Sequence, residues 1–140
     1  MANNYNFCVP CLLGLEGPIS DELRRMDIPG VRAENGRVYF NGGGAELARA
    51  NINLRIGERV LLEVGSFTAL SFDELFERTK ALPWEDIIPR DGAFPIKGYS
   101  LNSKLFSVSD CQKIIKKAIV ERLKRVYGIE WFAETGALYQ

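Results

Sequence analysis

The sequence predicts an α+β protein made of two consecutive units, residues 1–70 and 71–140. Three observations predict it. Strand-like and helix-like runs alternate as β-α-β-β-α-β across the first unit. An Asn35-Gly36 dipeptide separates two short extended runs, as a tight hairpin turn does. A second set of elements opens at Ser71 and leads to one long basic helix.

Residues 5–13 form the first strand. Gly14 and Gly17-Pro18 break it, and Pro18 fits an early position of a helix whose Ile19, Leu23 and Met26 share one face. Asp27-Ile28-Pro29-Gly30 closes that helix. Residues 31–34 and 37–40 are the two arms of the hairpin. Gly42-Gly43-Gly44 is a connector, because neither GK[ST] nor GxGxxG surrounds it. A second helix is expected over residues 45–55, carrying Leu47, Ala48, Ile52 and Leu54. Residues 59–69 read as a long closing strand. The order is that of a ferredoxin-like split βαβ unit.

In the second unit Ser71 and Glu74 make a capping box ahead of Phe72, Leu75 and Phe76, and Leu82-Pro83-Trp84 ends the helix. Trp84 is expected to pack rather than to stack on a base. Residues 94–101 read as a strand, with Pro95 early, where a missing N–H is tolerated. A helix should start near Ser109, with Gln112 completing a capping box, and stop at Gly128. Residues 129–132 form a short extended piece. Residues 137–140 look like a strand cut at its beginning, so the unit is expected to be truncated at its last strands.

The charge is concentrated. Of 18 basic and 18 acidic residues, eight and two lie within residues 97–127, which leaves ten and 16 for the remainder. At 100° per residue Cys111, Ile114, Ile115, Ala118, Ile119 and Val126 share one face of the long helix, and Lys113, Lys116, Lys117 and Lys124 cluster on the other. A lysine face without interleaved glutamate, preceded by a loop rich in serine, points to a polyanion.

Composition excludes several chemistries. There is no histidine, which removes Ser-His-Asp and Cys-His nucleophile systems and most zinc sets. Cys8-Val9-Pro10-Cys11 is a CxxC lying inside an apolar strand and not at a helix N-terminus, so both thiols read as structural, as does Cys111 on the helix core face. No apolar run is long enough for a membrane span, and the N-terminal MANNYNF lacks the basic start of a secretory signal. The expected address is cytoplasmic, with no membrane partner. No catalytic residue, metal ligand or cofactor-binding residue is assigned.

At this point a resemblance enters. The run SFDELFERTKALPWEDIIPRDGAFPIKGYSLNSKLFSVSDCQKIIKKAIVERL and the ending WFAETGALYQ resemble a THUMP domain, most specifically in the SKL…Q…KKAIV block. NINLRIGERVLLEVGSF is similar to the small ferredoxin-like domain that precedes THUMP in bacterial methyltransferases acting on guanine N2 of ribosomal RNA, some of them labelled N6-adenine-specific DNA methylases. The resemblance implies that the chain is the RNA-binding, substrate-positioning module of an S-adenosylmethionine-dependent enzyme. Its Rossmann-like catalytic domain, and the cofactor, would lie beyond residue 140, since the chain has no Gly-rich cofactor loop and no Asn-Pro-Pro-Tyr motif. The chain itself is expected to be no enzyme. By position, the resemblance places Lys97, Ser103, Lys104, Gln112, Lys116 and Lys117 against RNA, and the lysine face adds Lys113 and Lys124. The implied partners are a structured RNA, ribosomal rather than transfer RNA, and the downstream methyltransferase domain. The alternatives are a THUMP module of another RNA-modifying enzyme (a tRNA methyltransferase or thiouridine synthase), a regulatory or oligomerisation domain, and a CxxC redox protein.

Overall fold

A computed structural model describes residues 4–140; the first three residues of the predicted N-terminal unit lie outside the described residues. The chain divides into two compact units, residues 1–63 and 64–140.

The first unit runs β1 (Tyr5–Pro10), α1 (Glu16–Arg25), β2 (Arg32–Glu34), β3 (Arg37–Gly42), α2 (Gly44–Asn53) and β4 (Leu61–Glu63). Its strands form one antiparallel sheet in the order β2-β3-β1-β4. The β-α-β-β-α-β reading therefore holds, and the Asn35-Gly36 turn joins paired strands with Glu34 opposite Arg37. Register explains the core. Phe7 faces Phe40 and Val9 faces Val38, so all four side chains leave the same side of the sheet. Ile19 and Leu23 of α1 and Ala50 of α2 meet them there, which puts both helices on one face. The Glu16 carboxylate ties helix to hairpin by accepting hydrogen bonds from Gly14 N (2.7 Å) and Gly36 N (2.8 Å), and these donors hold its carboxyl below the usual range.

Three details differ from expectation. The first strand stops at Pro10: Cys11 N still donates to Gly36 O (2.9 Å), in register with β3, but Gly36 belongs to the hairpin turn and no partner strand lies beyond it. The closing strand spans Leu61–Glu63 and not residues 59–69: among the described residues β4 pairs with β1 alone, Glu63 already faces Asn6, and past Val64, which would face Tyr5, the antiparallel ladder runs off the start of β1. On α2 the core position belongs to Ala50, while Ile52 is exposed. Cys8 and Cys11 are free thiols; Cys11 packs against the helix-side core, and Cys8, between Phe7 and Val9, points to the other face of the sheet. Burial pushes both thiols above their ordinary range.

The second unit holds α3 (Phe72–Lys80), a 3-10 turn at Trp84–Asp86 and α4 (Val108–Tyr127). Ser71 caps α3 as predicted, its Oγ accepting from Glu74 N at 3.2 Å. Ile88, Phe94, Ile119, Leu123 and Phe132 form the core, with the Phe94 and Phe132 rings edge to face at 5.8 Å. Trp84 packs on this core and donates its indole N–H to Thr79 O (2.7 Å). The strand expected over residues 94–101 is not formed. A strand needs ladder partners, and the pairing present here is a single parallel bridge of Ala93 with Leu138. No helix among the described residues is long and apolar enough to cross a membrane.

Candidate nucleic-acid interface

Helix α4 begins two residues earlier than the sequence predicts. Ser107 is the N-cap; its hydroxyl donates to Asp110 Oδ2 (2.6 Å), and the expected Ser109–Gln112 box is not formed. Gly128 ends the helix as predicted, in the left-handed conformation (φ 63°) that favours glycine. The buried stripe is Ala118, Ile119 and Leu123, flanked by Ile115 and Tyr127. Val126, assigned to the core face from its angle, is exposed in the last turn, where Tyr127 instead turns inward and donates its one hydroxyl hydrogen to Ile88 O (2.6 Å), with Glu85 O within reach at 3.2 Å.

The basic residues of the helix do different things. Arg122 grips Glu85 with two hydrogen bonds, Nε to Oε2 at 2.7 Å and Nη2 to Oε1 at 2.5 Å. Its remaining Nη1 donates to the carbonyls of Lys80 and Ala81, 3.1 Å each, satisfying the C-terminal end of α3. That fork holds the Glu85 carboxyl at about 2. Lys116 lies over the Phe94 ring, 3.6 Å from its centroid, donates to Phe94 O (2.6 Å) and pairs with Glu134. Its ammonium is committed within the fold. Lys113 reaches Asp110 only at 4.0 Å, with both side chains well exposed, a pairing worth little in water. Lys117 is exposed, and Lys97, Lys104, Lys117 and Lys124 have no ion pair among the described residues.

Beside the first half of α4 lies an open groove of about 380 Å³. Lys97 and Ser103 line it from the preceding segment, Gln112 and Ile115 from the helix, and Leu75 from α3. Lys104 is exposed on the same segment, and Lys113, Lys117 and Lys124 fall within one sector of the outward side of α4. The structure thus gathers Lys97, Ser103 and Gln112 at one place, puts Lys113, Lys117 and Lys124 on the opposite side of α4 from the groove-lining Val108, Cys111, Gln112 and Ile115, and turns Lys116 inward.

The segment feeding the groove has an unusual backbone. Among the described residues, no backbone–backbone hydrogen bond involves residues 94–106. Its partners are side chains: Glu134 accepts from Phe94 N (3.1 Å), Ser103 Oγ accepts from Leu105 N (3.2 Å), and Ser100 Oγ donates to Leu105 O (3.1 Å). Asn102 takes a positive φ of 49° at the tip. Tyr99, Leu101 and Phe106 are exposed here, three large apolar groups that the sequence reading passed over. Their signal was present in the alternation of aromatic residues with Lys97 and Lys104. Chemically the arrangement offers ammonium groups and a primary amide to phosphate and ribose oxygens, open backbone groups, and apolar surface for base faces. Among the described residues no cluster of three or more histidine, cysteine or carboxylate side chains could hold a metal ion.

Comparison with known proteins agrees with this architecture. Residues 6–61 match the RlmL ferredoxin-like domain and residues 69–136 the THUMP domain. YpsC of Bacillus subtilis (strain 168), provisionally named an RNA methyltransferase, is 44% identical over 138 residues, covering 97% of this chain and 36% of YpsC. The ribosomal RNA large subunit methyltransferase K/L of Cellvibrio japonicus (strain Ueda107) is 26% identical over 125 residues, covering 89% of this chain and 17% of that protein. Among solved structures, a predicted N6-adenine-specific DNA methylase from Listeria monocytogenes str. 4b F2365 superposes with a TM-score of 0.93 at 46% identity, over 98% of this chain and 36% of that one. SMU.472, provisionally named a methyltransferase and solved in complex with SAH, gives 0.90 at 33% identity, over 99% of this chain and 40% of that one. The chain therefore spans well under half the length of these relatives.

Proposed function

Because this chain joins an RlmL-type ferredoxin-like domain to a THUMP domain, we propose that it holds structured RNA for a methyltransferase domain carried elsewhere on the same polypeptide. The observation that carries the reading is the groove beside α4, with Lys97, Ser103 and Gln112 on its walls and Lys104 exposed on the same segment; the outward face of the helix adds Lys113 and Lys117, exposed, and Lys124, half-buried. Lys116 serves the same surface from within, by fixing Phe94 and Glu134. Recognition of this kind rests on phosphate and 2′-OH contacts and on RNA shape. Ribosomal RNA is the proposed target and guanine N2 the proposed methylated atom; the names of the K/L relatives support the first. S-adenosylmethionine is the proposed methyl donor of the other domain, supported by the SAH bound to SMU.472, and the cytoplasm the proposed location. The working division is a ferredoxin-like unit over residues 1–70 and a THUMP unit over 71–140.

The test is RNA binding by this chain across a salt series, with large-subunit ribosomal RNA and transfer RNA transcripts as probes. Replacing Lys117 and Lys124 with Glu should weaken binding and flatten the slope of log K against log salt by about 1.4 to 1.8, the value for two lost phosphate contacts. Replacing Arg24 and Arg25 of α1 should do neither. Equal loss from both pairs would mean that the charge effect has no address and would refute the reading; tighter binding to transfer RNA would redirect the target.

A further inference from the structure

The first unit holds two Asn-Gly dipeptides, Asn35-Gly36 and Asn41-Gly42. Asparagine is a thermolabile residue, most of all before glycine. With no Cβ to crowd the approach, the glycine backbone nitrogen can attack the asparagine side-chain carbonyl and close a succinimide ring. The fold treats the two sites differently. Gly42 is buried in β3, where it pairs with Tyr5, and the Asn41 side-chain amide donates to Asn6 Oδ1. Asn35 is exposed in the turn between the paired residues Glu34 and Arg37. There Gly36 O accepts from Cys11 N (2.9 Å), but Gly36 N is turned towards α1 and donates to Glu16 Oε1 (2.8 Å). The other oxygen of that carboxylate accepts from Gly14 N (2.7 Å), so the group is held at both ends.

We infer that Asn35 is a latent deamidation site and that Glu16 keeps it silent by holding the Gly36 N–H. In the reaction the Gly36 nitrogen gives up its proton and bonds to Asn35 Cγ. The Cγ–Nδ2 bond breaks, and the side-chain nitrogen takes up a proton and leaves as ammonia. Water then opens the ring at either carbonyl, leaving aspartate or isoaspartate at position 35. Glu16 opposes the first step twice. Its oxygen holds the proton that must leave, and its negative charge lies 2.8 Å from the nitrogen on which negative charge would build. The bond from Gly36 is also the chief reason why the Glu16 carboxyl lies below its ordinary range, so the guard is an anion at neutral pH. A succinimide nitrogen carries no hydrogen. Ring closure and the tie between α1 and the hairpin therefore exclude one another. Isoaspartate would further add a backbone atom to the turn and disturb the register that sets Glu34 opposite Arg37.

The experiment incubates the chain, Glu16→Gln and Glu16→Ala in warm, mildly alkaline buffer. Peptide mapping that separates asparagine, aspartate and isoaspartate follows both Asn-Gly sites. Glu16→Gln keeps an acceptor oxygen and removes the charge; Glu16→Ala removes both. Asn35 should be lost about 10-fold faster in Glu16→Ala than in the parent, the weight of one hydrogen bond to a charged group, with Glu16→Gln between them. Asn41 should keep the parent's rate in both variants. A merely structural role for Glu16 would loosen the sheet and speed both sites, the pattern expected of Leu23→Ala, which opens the core of the same unit away from the turn. If Glu16→Ala unfolds, the contrast between Asn35 and Asn41 in the isosteric Glu16→Gln decides. Equal acceleration at the two sites in Glu16→Gln, or an Asn35 rate unchanged in both variants, would refute the guard.

Discussion

Removing the Arg122–Glu85 fork should cost the second unit stability without touching the RNA-facing lysines. The two side chains are 17% and 22% exposed, and the carboxyl is held at about 2 against an ordinary 4.5. That difference corresponds to about 3 kcal/mol; allowing for solvent screening of a partly exposed pair, about 2 kcal/mol is expected. For a unit of this size each kcal/mol lowers Tm by roughly 4–8 °C, so Glu85→Gln should lower it by about 8–16 °C at neutral pH. Arg122→Ala should cost more, because the carbonyls of Lys80 and Ala81 lose their donor as well. The sign with pH follows from a depressed carboxyl: the stabilisation is complete above about 4.5 and is lost as pH falls towards 2. Both tryptophans lie in this unit, so intrinsic fluorescence reports its unfolding. A Tm gap between the parent and Glu85→Gln that stays constant from pH 6 down to pH 2 would refute the assignment of the shift to the fork.

Lys116→Met should destabilise the same unit by about 1 kcal/mol and let the Glu134 carboxyl, held low chiefly by its hydrogen bond from Lys116, return towards its ordinary range; carboxylate NMR titration checks the second effect, and an unmoved Glu134 would argue against the contact. Serine at Cys8 and Cys11 should leave RNA affinity unchanged, and both raised thiols should alkylate more slowly at neutral pH than a free cysteine; reaction faster than free cysteine would reopen the redox reading. Isothermal titration of this chain with S-adenosylmethionine should show no heat, because the Gly-rich strand-to-helix turn that cradles such a cofactor has no counterpart in Gly42-Gly43-Gly44; micromolar binding would overturn the division of labour proposed above.

What could be read from the sequence was what is local. The Asn35-Gly36 hairpin, the Ser71 cap and the Gly128 stop each depend on a few adjacent residues, and each is where the pattern puts it. What failed needed a distant partner. Residues 59–69 and 94–101 have strand character, but a strand exists only beside another, and β1 begins at Tyr5 while residues 94–101 meet no ladder. The basic helix shows the same limit. Eight cations in one stretch look alike in a sequence, yet Arg122 and Lys116 find anionic partners 37 residues upstream and 18 downstream, at Glu85 and Glu134. A helical wheel places a residue on a face and cannot say which acid has been brought to that face.

This sorting of charge separates two kinds of variant that a simple charge count would merge. The groove segment, residues 94–106, makes no backbone–backbone hydrogen bond among the described residues and is held by side chains instead, among them Lys116 and Glu134 at Phe94, Ser100 and Ser103 at Leu105, and Ile96 packed against the core. Segments held this lightly are the ones from which ligand-binding loops are drawn, and part of any binding free energy is spent on ordering them. Loosening an anchor should therefore lower RNA affinity by the same factor at every salt concentration, since no phosphate contact is removed. Losing an exposed lysine should lower affinity and the salt slope together. Lys116 and Lys117 are adjacent in sequence and carry the same charge, and they should fall on opposite sides of that distinction.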